Sequence, residues 1–182
     1  LRCPDHPVAQ ALLRRAQALG VPGVAAPSAN RFGRVSPTSA EHVLAEFGAS
    51  LLVLDGGECR EGIESTIVDF SRDAPVLLRP GTLASAAIEA VLGRALRPRD
   101  DAAPRASGDL ESHYAPTAEV RLASAAELPA AVGSAVARLG PLAVGVYSRA
   151  APSPSAMTHF IPMPDNAAAV AHELYAVLRR LD

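Results

Sequence analysis

Apolar positions return along this chain in two rhythms, and the changes between them mark out its elements. In HPVAQALLRRAQALG (6–20) they recur every three or four residues, the helical period. Asp5 is placed to cap that helix, Pro7 sits in its first turn and Gly20 ends it. GVAA (23–26) predicts a short strand running into a polar loop. Thr38 and Glu41 then form a T-x-x-E capping box, which opens a helix over SAEHVLAEF (39–47) closed by Gly48. SLLVLDGG (50–57) predicts a buried strand and a turn. ESTIVDF (64–70) and APVLLRPG (74–81) predict two strands joined as a hairpin at Arg72 and Asp73. Thr82 is placed to cap a helix over LASAAIEAVLG (83–93). Alternating strands and helices with some antiparallel pairing predict an α/β layer architecture.

Between Arg94 and Thr117 the rhythm stops. The segment is rich in Pro, Arg and Asp and predicts a linker, longer than connections usually are. The rhythm then resumes with strand AEVRLA (118–123), helix SAAELPAAVGSAVARL (124–139), strands LAVGVYS (142–148) and THFIPMP (158–164), and helix NAAAVAHELYAVLRR (166–180). This is the pattern of a second, parallel α/β unit that stops on a helix. The expected organisation is therefore 1–93, a linker over 94–117, and 118–182.

Composition narrows the chemistry. With 182 residues, 49% hydrophobic and 20% charged, the chain is a soluble, globular type, one ordinary domain or two small ones. A net charge of −2 gives no overall basic field for nucleic acid. All 17 basic residues are arginine, which excludes a Schiff-base lysine or a P-loop lysine within this stretch. Cys3 and Cys59 are far apart without CxxC partners, so free thiols in a reducing compartment are expected and a zinc site is not. No apolar run reaches membrane-spanning length, and no signal peptide is visible. The chain does not begin with Met.

Three polar clusters precede the linker. APSANRFGRVSPTSAEHV (26–43) gathers hydroxyl and amide side chains just before a helix N-terminus, where phosphate or carboxylate is favoured. The alternative is that Ser36 and Thr38 only cap the helix. DGGECREGIESTIVDF (55–70) has glycines for a close-approach turn, and then Glu64-Ser65-Thr66 opening an apolar strand, where polar groups need partners. It is equally a hairpin with hydroxyls at a strand edge, with Glu61 and Glu64 merely flanking the turn. In LLRPGT (77–82), Arg79 ends a buried strand before a Pro-Gly turn and can present its fork to a phosphate. It is otherwise an ordinary surface arginine. His6, His42, His159 and His172 read as surface or helix-face residues. His113 and Tyr114, in SHYAP, form an apolar–aromatic island inside a polar linker and are expected to dock on something.

These four segments, in order, resemble the threonylcarbamoyl-AMP synthases, whose catalytic domain has the YrdC-like fold. The resemblance covers about residues 1–117, and 118–182 resembles the start of the Rossmann-like C-terminal domain of the two-domain members. It implies a YrdC-like twisted mixed sheet with helices, of which residues 1–93 are the C-terminal part, then a linker that acts as a lid, then a partial Rossmann-like parallel α/β domain. It also implies a fragment, because the family's N-terminal Lys-x-Arg motif and an upstream substrate-binding threonine are absent. Such a fragment is expected to be inactive by itself.

The activity implied is L-threonylcarbamoyladenylate synthesis: L-threonine, bicarbonate and ATP give threonylcarbamoyl-AMP and pyrophosphate, with Mg2+ carried on the phosphates. The product would pass to the tRNA threonylcarbamoyl-transferase complex in the cytoplasm, for modification of the adenosine next to the anticodon. The family pattern places ATP contacts at Ser28, Asn30, Ser36, Arg79, His113 and Tyr114, and threonine contacts at Ala26 (through its backbone), Ser65 and Thr66. No protein nucleophile and no protein-bound metal is implied; the chemistry needs positioning and anion stabilisation. A second reading is a non-catalytic double-stranded RNA-binding module of the same fold, with weak RNA binding, which would need a basic stripe. A third is a carbamoyl-adenylate-forming domain of hydrogenase maturation; the SHYAP linker and the trailing unit speak against it.

Overall fold

The computed structural model describes residues 2–106, 114–151 and 159–182. They fall into two compact units, one of Leu1–Arg31 with Ser36–Cys59, the other of Phe32–Val35 with Arg60–Asp182. His113, expected in the lid, lies outside the described residues.

The first unit is helical. Helix α1 spans Pro7–Ala18; its N-cap is His6 rather than Asp5, and proline in the first turn sets the start. Helix α2 spans Ala40–Phe47. Its cap is Ser39, whose hydroxyl accepts from the His42 N–H. The expected Thr38–Glu41 box does not form, because Thr38 is committed elsewhere: its N–H donates to His42 Nδ1 at 3.2 Å and its carbonyl accepts from Cys59 N–H at 2.8 Å. The strands expected at 23–26 and 50–57 are not formed. Both stretches lack ladder partners among the described residues, and Leu51, Leu52 and Leu54 are exposed. A strand is defined by its neighbour, and an apolar run without one stays irregular.

The second unit carries both sheets. Strand β1 (Ile67–Asp69) and strand β2 (Val76–Arg79) form the expected antiparallel hairpin. Asp69 fastens its turn by accepting from the Ser71 N–H at 2.8 Å. The register slips between Ile67 and Val68, so that Val68 faces Leu77 while Ile67 faces Arg79. Such a bulge re-aims the residue at the end of the strand, here Arg79. Helix α3 spans Ser85–Leu92 and ends on Gly93 in the left-handed conformation; its N-cap is Ala84, not Thr82, whose N–H is instead given to the Glu64 carbonyl. Residues 94–117, expected as linker, contribute strand β3 (Arg97–Pro98), which pairs parallel to β2.

Past Thr117, the expected strand 118–123 is absent, with Leu122 almost wholly exposed. Helix α4 (Leu128–Leu139), strand β4 (Gly145–Ser148), strand β5 (His159–Pro162) and helix α5 (Ala167–Leu181) follow as expected, and β4 and β5 pair in parallel. Their core is Val132, Val144 and Val146, with Leu128, Val136 and Phe160 packed around it. Asn166 caps α5 by accepting from the Ala169 N–H at 2.8 Å. The whole is a mixed α/β fold. Among the described residues no helix is long and apolar enough to cross a membrane.

Candidate active site

The polar strand opening at Glu64-Ser65-Thr66 and the Pro80-Gly81 turn were two separate signals in the sequence; the hairpin makes them one place. Gly81 passes so close to residues 64–66 that a Cβ there would run into the Thr66 nitrogen, the Ser65 carbonyl carbon and the Glu64 oxygen. Only glycine fits, and the approach lets the Thr82 N–H reach the Glu64 carbonyl at 3.2 Å. Thr66 fastens the same crossing from its side chain, donating its hydroxyl to the Leu83 carbonyl at 2.7 Å.

Arg79 emerges where these backbones cross. Its Nε and Nη2 donate to the Ser65 carbonyl at 3.1 and 2.9 Å. Nη2 also reaches the Glu64 carboxylate at 3.3 Å and the Ser65 hydroxyl at 3.4 Å. Nη1 donates to the Tyr114 hydroxyl at 3.3 Å, and the guanidinium carbon stands 6.0 Å from the Tyr114 ring centre. The Arg79 and Glu64 side chains are 12% and 20% exposed, so the pair is shielded but reachable. A guanidinium gripped along one edge has lost much of its rotamer freedom before any ligand arrives, which lowers the entropic cost of presenting it.

Tyr114 occupies the left-handed region at φ 58, where a bulky side chain is strained. Its neighbours hold it there: the Ala115 N–H donates to the Gly33 carbonyl at 2.9 Å, and Arg34 and Ala115 form an isolated parallel bridge. On its other side the ring stacks on Tyr175 of α5, with centres 6.3 Å apart and planes 29° apart. Burial, then the Glu64 carboxylate, push the Tyr175 hydroxyl up to about 12.

The expected site residues therefore divide. Ser65, Thr66, Arg79 and Tyr114 come together in the second unit. Ala26, Ser28, Asn30 and Ser36 belong to the first unit, where Ala26 and Ser28 are exposed, Ser36 is half-buried and the Asn30 amide donates to the Arg31 carbonyl at 3.1 Å. Next to Asn30, the Arg31 N–H donates to the Glu46 carboxylate at 2.8 Å, which ties this loop to α2. Two site residues were not anticipated. Glu64 is an ion-pair partner rather than a turn flank. Tyr175 passed as an ordinary residue of an amphipathic helix, although His172, Tyr175, Arg179 and Asp182 are spaced three, four and three apart, a single helical stripe.

A hairpin that presets an arginine, followed by a parallel α/β unit whose helix α5 stacks Tyr175 on Tyr114, is the arrangement to set against known proteins. A family profile of the Sua5/YciO/YrdC kind, described as telomere recombination, matches residues 1–81. A second, described as threonylcarbamoyl-AMP synthase, C-terminal domain, matches residues 83–182. The chain belongs to the threonylcarbamoyl-AMP synthase family. It is 42% identical over 128 residues to the threonylcarbamoyl-AMP synthase of Bacillus subtilis, covering 67% of this chain and 36% of that protein. It is 43% identical over 126 residues to that of Pyrococcus abyssi, covering 66% and 36%. The crystal structure of P. abyssi Sua5 complexed with L-threonine superposes on the whole chain at 32% identity with a TM-score of 0.75, over 54% of its own length. The chain thus spans about a third to a half of the relatives it matches.

Proposed function

We propose that this protein forms L-threonylcarbamoyladenylate and pyrophosphate from L-threonine, bicarbonate and ATP, to supply threonylcarbamoyl modification of tRNA. The observation that carries the reading is Arg79, gripped by Ser65, Glu64 and Tyr114 at the end of a bulged strand. The L-threonine in the archaeal neighbour supports the amino-acid substrate.

In this reaction the threonine nitrogen bonds to the bicarbonate carbon and water leaves, giving a carbamate. A carbamate oxygen then attacks the α-phosphorus of ATP, and the α–β anhydride bond breaks to release pyrophosphate. Both steps bring anions together, so positive charge and N–H donors held in place beforehand stabilise them. Arg79 supplies that charge to the triphosphate. Glu64, bound to one end of the guanidinium, keeps it oriented until the nucleotide shares it. Ser65 lies beside it and offers its hydroxyl to the threonine; Thr66 lines the pocket, its own hydroxyl being taken by Leu83. Tyr114 covers the nucleotide against water. On the family pattern, Ala26 is assigned to threonine contacts and Ser28, Asn30 and Ser36 to ATP contacts. Mg2+ is expected to arrive on the phosphates.

The test uses the full-length protein with purified substrates. Pyrophosphate release that requires both threonine and bicarbonate is expected. Release indifferent to either, or tight duplex RNA binding without any release, would overturn the reading.

A further inference from the structure

One stripe of α5 and its C-cap touches the segments at 34–35, 60–62, 114 and 117–118 that flank the arginine site. At its first turns, Gly62 lies so close that a Cβ would meet the His172 carbonyl, and His172 Nδ1 donates to the Arg60 carbonyl at 2.6 Å. Tyr175, one turn on, stacks on Tyr114. Arg179 donates to the Val35 carbonyl. Asp182 accepts from Arg34 at 3.2 Å, from the Thr117 hydroxyl at 3.1 Å and from the Ala118 N–H at 2.8 Å. Three of these hydrogen bonds go to backbone groups, of Arg60, Val35 and Ala118, which a helix lying there by chance has no reason to satisfy. The Tyr175 contact is different. Tyr175 touches a side chain that itself hydrogen-bonds Arg79, and that side chain sits in a strained backbone conformation that isolated tyrosine would leave.

We propose that Tyr175 is a positioning residue: by stacking on Tyr114, whose backbone is held by Gly33 and Arg34, it fixes the orientation of that ring, and so fixes the Arg79 guanidinium for the anionic substrate. The proposal rests on the function argued above, which makes Arg79 the phosphate partner. Tyr175 itself touches no substrate. What it supplies is a flat, apolar surface, so its ring is required and its hydroxyl is not.

This gives the inference a sharp form. In the full-length protein, Tyr175→Ala should raise the KM for ATP about five- to tenfold, the scale of one lost aromatic pair, with kcat changed less. Tyr175→Phe should restore the wild-type KM. Independently of activity, the Arg79 Nε–H, now held by the Ser65 carbonyl, should exchange with water faster in Tyr175→Ala than in wild type or Tyr175→Phe, by nuclear magnetic resonance of arginine side chains. Faster exchange with a raised KM, both rescued by Phe, supports the proposal. Unchanged exchange in Tyr175→Ala overturns it, and so does a Tyr175→Phe variant as impaired as Tyr175→Ala, because the ring would then not be what matters. A wild-type protein with no threonine- and bicarbonate-dependent turnover would sink the proposed function instead; the exchange measurement would still decide the positioning.

Discussion

The hairpin around Arg79 and the loop from Ala26 to Ser36 look alike in sequence: short, polar, glycine-punctuated and set beside regular structure. They end in different physical states. In the hairpin, Gly81 brings two backbones into contact, Thr66 fastens them, and Arg79 spreads across the result with three kinds of partner. In the loop, Ala26 and Ser28 face solvent and the Asn30 amide turns to its own neighbour. The difference is in what surrounds the polar groups. A hairpin supplies its own second strand, so its polar residues are arranged by local contacts of short sequence separation. A loop has only the partners that other elements bring to it.

The largest expected effect tests whether the hairpin's order serves binding. Arg79→Ala in the full-length protein should weaken ATP by about 1.5–3 kcal/mol, the range for a charge-assisted hydrogen bond. An unchanged ATP dissociation constant by calorimetry would show that the arrangement is only structural. Next comes the asymmetry between glycines. Gly81→Ala should cost about 1–3 kcal/mol of stability, as forced overpacking does. Gly23→Ala, beside the loop, where a Cβ meets nothing within 4 Å, should stay within about 0.5 kcal/mol. Denaturant midpoints of the two variants measure the contrast directly, and equal shifts would erase it.

The smallest effect is electrostatic. Tyr175 titrates near 12 because of burial first and the Glu64 carboxylate second, with Arg79 opposing. Its folded value lies above its unfolded value of 10.0, so the stability it adds is complete below pH 10 and is lost as pH rises toward 12. Glu64→Gln should move the tyrosinate absorbance step of Tyr175 back toward 10. A step that does not move would mean that Glu64 and Tyr175 do not share this site.

Periodicity was enough to place α1, α2, α4, α5, β4, β5 and the hairpin, because each has a rhythm or a turn that local chemistry imposes. It failed at 23–26, 50–57 and 118–123, where an apolar run is a strand only if a neighbour pairs with it. The caps sit one or two residues later than expected at α1, α2 and α3; at the last two, the backbone groups of Thr38 and Thr82 are already engaged elsewhere, which residue type alone does not reveal. Within the site, Arg79 was legible from its place between a buried strand and a Pro-Gly turn, and Tyr114 from being an aromatic in a polar segment. Glu64 was legible as polar but not as a partner, since pairing across a hairpin depends on the bulge that shifts its register. Tyr175 was hidden because a helical aromatic is ordinary until its tertiary neighbour is known.

The stripe on α5 also sets which kinds of sequence change this chain can absorb. Between His172 and Asp182 the contacts are a phase relation: at about 100° per residue, spacings of three and four keep successive contacts within roughly 60° of one another. A substitution at one position removes one contact. Inserting or deleting a single residue after His172 turns Tyr175, Arg179 and Asp182 away together, by about 100°, and slides them about 1.5 Å along the axis. Helix propensity would scarcely notice such a change. Length variation should therefore be excluded between His172 and Asp182 and tolerated in the loop before α5, while the spacing from Gly62's neighbour His172 to Arg34's partner Asp182 behaves as a fixed ruler.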